Sequence, residues 1–221
     1  NQTVSGTING AHTLGITPAA NWTQSGNIGA TTALTQLTVG TTSSTGDVTL
    51  SGTTTVSGAV TGYGDDITLS ENINTSAGGA NGDVLIQAAN NIFLDSNKSV
   101  TTSGGDITFS SDSDANNAGA ISLSSAAALT SGGGNITLGG GSAGAGYAVG
   151  STGSSIGILR GIYLWGNTIN AGGGNIIMRG KGSQTGALNQ YAIGIDIIGS
   201  SIITTSGSGT IDLYGIGGVN S

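Results

Sequence analysis

Few side chains in this sequence could do acid–base or nucleophilic chemistry. His12 is the single histidine among 221 residues, and cysteine is absent. Thiolate nucleophiles, thiolate metal sites and disulfide frameworks are therefore excluded. No carboxylate stands close to His12 in sequence, which gives it a structural or merely exposed role. Asp47, Asp66, Asp83 and Asp106 recur at one position of a repeated string. Directly stacked carboxylates raise one another's pKa and could supply an acid–base pair. The series continues, however, as Ala120, Asn135, Asn175 and Thr210. That decay reads as a corner device in which Asp and Asn cap backbone amides freed by a turn. No catalytic residue is assigned.

Metal and ligand chemistry is equally sparse. SDSDANNAG (111–119) spaces Asp112, Asp114 and Asn116 like the opening of a calcium loop. Asn117 stands where glycine is required and Leu123 where the bidentate Glu belongs, so a solvated loop is expected, with no metal or cofactor. Thr49, Thr68, Thr108, Ser122 and Thr137 take the outward place between two apolar positions, a pattern compatible with an ice-binding face. Paired Thr-x-Thr ranks are missing, and the hydroxyls suit ordinary strands. In GIYLWGN (161–167), alternation turns Tyr163 and Trp165 outward together. Exposed aromatic pairs stack on sugar rings or anchor protein interfaces. With Arg160, Arg179 and Tyr191 nearby in sequence, these residues form the candidate binding patch.

The elements that position them are repeats. TGDVTL (45–50), GDDITL (64–69), NGDVLI (81–86), GGDITF (104–109), AGAISL (118–123), GGNITL (133–138), GGNIIM (173–178) and SGTIDL (208–213) share one template. Taking Ile or Val as marker, the steps are 19, 17, 23, 14 and 15 residues, then 40 and 35. Val100, Leu129 and Ile169 each precede a marker by seven residues across a Gly-rich string. Each unit thus reads as strand, tight glycine corner, strand. Because the motif always runs in the same direction, like residues stack on like in successive turns. The expected fold is all-β: one parallel β-helix of about 10–11 coils, each roughly 14–23 residues. Residues 44–221 carry the repeats, and 1–43 form an irregular N-terminal cap or first coils. The last string, IDLYGIGGVNS, leaves an apolar strand with no evident cover.

Composition narrows the class further. Glycine accounts for 43 residues, charged side chains for 7%, and the formal net charge is -7. Low charge with 36% hydrophobic residues argues against disorder, and the lone proline argues against collagen. No apolar run is long enough for a membrane helix. The four cations, Lys98, Arg160, Arg179 and Lys181, cannot hold nucleic acid against eleven carboxylates. A start at Asn1, without methionine or signal segment, suggests a processed product or an excised piece.

VTTSGGDITF (100–109) and LTSGGGNITL (129–138) resemble the repeats of filamentous haemagglutinin-type large exoproteins, passengers of bacterial two-partner secretion. The resemblance covers about residues 44–213. It implies a right-handed parallel β-helix, export to the cell surface, and roles in adhesion, contact or biofilm. The Asn-Pro-Asn motifs of that family's secretion domain are missing, Pro18 lying in ITPAAN instead. The chain is accordingly expected to be the repetitive shaft, a non-enzymatic adhesin segment outside the cell that meets host or matrix glycans and proteins. The alternatives are a filament subunit that stacks head to tail on copies of itself, a carbohydrate-active β-helix enzyme, and an ice-binding protein.

Overall fold

In the computed structural model, which describes residues 1–151, 156–184 and 191–218, the chain winds through three parallel sheets. Face A stacks eight strands: 2–4, 22–24, 48–50, 67–69, 92–94, 121–123, 162–165 and 195–198. Face B holds 54–55, 73–74, 99–101, 128–130, 168–170 and 202–204, and isolated bridges extend it through Ile28 to Ile8. Face C holds 13–16, 36–39, 60–64, 84–88, 107–111, 136–140, 176–181 and 211–216. A short strand, 148–149, also pairs with 176–181. The chain visits A, B and C in turn, making a β-solenoid of eight coils. At about 4.8 Å per coil the stack is roughly 35 Å long.

Register explains the core. Ile67, Ile92, Ile121 and Ile162 lie directly over one another on face A. Val84, Ile107, Ile136 and Ile176 do so on face C, and Val100, Leu129 and Ile169 on face B. All are fully or almost fully buried. The inward rows fill the rod axis, and each such side chain contributes about 1.5–3 kcal/mol against the cost of ordering the backbone. No coil could bury its row alone, so stability is collective.

Eight coils, instead of ten to eleven, is a correction with a structural cause. Val48 and Ile67 stack on face A, but Val84 and Ile107 belong to face C, and Ile121 returns to face A. The template therefore marks the entry to two different faces and can occur twice in one coil, as at Ile67 and Val84 or at Ile121 and Ile136. Coil length runs from 19 residues (Val48 to Ile67) to 41 (Ile121 to Ile162). Residues 1–43 place strands 2–4 and 22–24 on face A, and 13–16 and 36–39 on face C.

The Asp/Asn positions stitch coil to coil. The Asp106 amide donates to Asp83 Oδ1 at 2.8 Å, and the Asn135 amide donates to Asp106 Oδ1 at 2.7 Å. Asn175 and Thr210 continue the row, each donating to the residue below at 2.9 Å. A second row, at the entry to face A, runs from Asn21 through Asp47, Asp66 and Asn91 to the Ala120 amide. An acceptor is all that each step needs, which is why Asp and Asn alternate freely. Beside the first row, Gly105, Gly134 and Gly174 are stacked so closely that a Cβ on any of them would strike the glycine backbone one coil below.

Candidate functional site

The aromatic strand 162–165 shows the alternation its sequence requires. Ile162 and Leu164 are buried, Tyr163 is half-buried, and Trp165 is 50% exposed. The Trp165 indole lies over Gly199, where a Cβ would collide with it. Its backbone amide donates to Asn167 Oδ1 at 2.6 Å, which fixes the strand end.

Arg160 enters just before this strand and is only 5% exposed. Its Nε donates to Asp196 Oδ2, making an ion pair between successive coils. The guanidinium also lies 4.6 Å from the Tyr163 ring centroid and 5.3 Å from that of Tyr191. A desolvated guanidinium between two aromatic faces and a carboxylate is held firmly, and it acts as a lock joining the seventh coil to the eighth. Arg179 does not join this group. It lies on face C with Tyr214 opposite in register, its guanidinium 5.4 Å from that ring. The five sequence-derived residues thus divide in three: Arg160 with Tyr163 and Tyr191, Trp165 alone further along the strand, and Arg179 on another face.

Asp196 and Tyr214 are the partners that sequence reasoning missed. A signal existed, because both occupy outward positions of strands in the last coil, opposite Tyr163 and Arg179. Finding it requires the true coil length.

The remaining candidates also have defined surroundings. His12 is exposed. In the 111–119 loop, the amides of Asn117 and Ala118 donate to Asp112 Oδ1 at 3.0 and 3.3 Å, while Asn116 Nδ2 donates to Asp114. These acids serve their own loop. Among the described residues, no three His, Cys, Asp or Glu side chains converge as a metal site. Burial pushes the Asp112 carboxyl above its ordinary value. Asp65 rises as well, first through burial and then through Asp66, Asp47 and Asp114. Glu71 is held below the usual range by the hydrogen bond from Lys98, whose Nζ lies 2.6 Å away. The threonines do not form one array. Thr49, Thr68 and Ser122 belong to face A, Thr108 and Thr137 to face C.

Loops gather at the corner from C to A. There, among the described residues, the chain makes its long excursions, 112–120, 141–151 with 156–161, and 182–184 with 191–194, whereas the corner from A to B closes in a few residues. Arg160 and Tyr191 both come from these excursions. Comparison with family models, with curated proteins and with solved structures gave no match, so the β-solenoid itself and the side-chain arrangement it carries are the basis for a functional reading.

Proposed function

We propose that this protein is a non-enzymatic, structural β-solenoid of the bacterial cell surface or extracellular space: the shaft of an adhesin, acting by display. The observation that carries the reading is the unbroken in-register core across eight coils, with loops confined largely to one corner. Such a rod holds surface features at a fixed distance and orientation, and repeated weak contacts add by multivalency. Three things support an extracellular setting: the resemblance to exoprotein repeats, the sparsely charged, hydroxyl-rich composition and the lack of cysteine. Among its contact groups, exposed Trp165 fits the face of a glycan or a protein partner.

The test is adhesion. Beads coated with the protein should be retained on host-cell or matrix glycans and proteins, and Trp165→Ala should weaken retention severalfold with unchanged circular dichroism. No retention on any such surface would remove the adhesin reading; unchanged retention in Trp165→Ala would remove the aromatic patch from it.

A second reading, end-to-end assembly, draws on the last described coil. There the inward residues Ile211 and Leu213 are 42% and 44% exposed. Faces B and C of that coil could pair with the segments carrying Ile8, Leu14 and Ile16 in a second copy, a heterologous contact that propagates. Negative-stain images at rising concentration separate the two readings: fibres for assembly, short rods for the shaft.

A further inference from the structure

A cleft of about 220 Å³, open to solvent, lies at the corner from C to A and is separate from the aromatic patch. Asp112 and Asn117 of the first long loop form one wall, Gly141, Tyr147 and Val149 of the second another, and Lys181 of face C completes it.

The walls are tied together before any ligand arrives. Gly119 and Val149 exchange two backbone hydrogen bonds at 2.6 and 2.8 Å, and Gly140 and Gly146 exchange two more at 3.1 and 2.7 Å. Asp112, Ala115, Asn117 and Ala143 all hold left-handed backbone, with φ of 47°, 58°, 68° and 52°. Non-glycine residues adopt that conformation at a cost, and such strain gathers where a loop must present a fixed shape.

The chemistry of the lining is mixed in sign. Lys98 is paired with Glu71, Arg160 with Asp196, and Arg179 lies over Tyr214. Among the described residues the Lys181 ammonium alone has no ion pair, hydrogen bond or ring contact. Across the same cleft stands the Asp112 carboxylate, whose Oδ1 accepts from the Asn117 and Ala118 amides and which makes no salt bridge to Lys181. An ammonium donor and a carboxylate acceptor on separate walls, with a tyrosine ring between loops, suit a ligand that is donor and acceptor at once and has an apolar face. Neighbouring hydroxyls on a pyranose ring have that character. An anionic sugar would meet the Asp112 carboxylate.

We propose that this cleft binds a neutral saccharide, the ring packing on Tyr147 while its hydroxyls accept from Lys181 and donate to Asp112. Isothermal titration with neutral gluco-, manno- and galacto-oligosaccharides, and with uronate oligosaccharides for contrast, tests it. Saturable binding is expected for at least one neutral member, about tenfold weaker in Tyr147→Ala and in Lys181→Met. Lys98→Met, a charge-matched change on another corner, should bind like the parent. Lys181→Met keeps the test valid if Tyr147→Ala fails to fold. No neutral member binding at about 10 mM, binding that survives Lys181→Met, or binding of uronates only would overturn the proposal.

Discussion

Two corners of the same rod follow different rules. From A to B, the chain turns within two to four residues in the later coils, 95–98 being among the longest and 166–167 the shortest. A left-handed residue recurs there, as Asn97, Ala126, Gly166 and Ser200. From C to A, the described connections range from the two residues 65–66 to the nine-residue loop 112–120 and longer. A corner joining two strands that both feed buried rows has little freedom. A corner at which loops can leave the stack sideways accepts insertions at little entropic cost, since loop closure grows only slowly with length. The buried rows and the long loops therefore occupy different parts of this chain.

Substitutions can break that division or sharpen it. The largest effect is expected inside the stack. Phe109 is fully buried on face C, and Phe109→Ala should cost about 3–5 kcal/mol, a fall of roughly 10 °C in Tm by thermal circular dichroism. Arg160→Met, where a loop meets the stack, should cost about 2–3 kcal/mol by leaving Asp196 without its partner. The double variant Arg160→Met, Asp196→Leu should recover most of that loss, because the desolvated charge is then gone. Asn135→Ala removes one rung of an exposed side-chain row and should cost about 1 kcal/mol in urea unfolding.

The smallest effect lies in the loop and shows itself through pH. Burial raises the Asp112 carboxyl above its ordinary value of 3.8. A group whose folded pKa is raised stabilises fully below the unfolded value, and that contribution is lost as pH rises through the folded one. Asp112→Asn keeps the oxygen that accepts from Asn117 and Ala118 but cannot ionise. The variant should match the parent below the ordinary carboxylate pKa and be slightly more stable at neutral pH. A parent that is the more stable of the two at neutral pH would contradict the burial account.

Much of the scaffold was legible in the sequence. The GGDITF and GGNITL strings carry a glycine corner, an amide acceptor and two inward apolar residues, and all three appear where the alternation put them. Coil length was not legible. Entry to face A and entry to face C pose the same physical problem, a turned backbone with a free amide, and Asp or Asn solves both. Ile107 and Ile121 therefore look alike in sequence while lying on different faces. The outward pairing of Tyr163 with Trp165 followed from strand alternation alone. The partner of Arg160 did not, because Asp196 is 36 residues away across a full coil and a loop. Proximity in sequence also grouped Arg179 with Arg160, although one lies on face C and the other before face A.

Register is the central claim, and disulfide trapping tests it directly, since no native thiol interferes. Adjacent parallel strands place paired Cα atoms about 4.8 Å apart, within disulfide reach. T108C/T137C and T49C/T68C, each pair opposite in register, should oxidise readily to intramolecular disulfides. T108C/S122C, on different faces, should remain reduced. Ready closure of T108C/S122C, with T108C/T137C left open, would mean that each repeated string is a coil of its own and would contradict the three-faced stack.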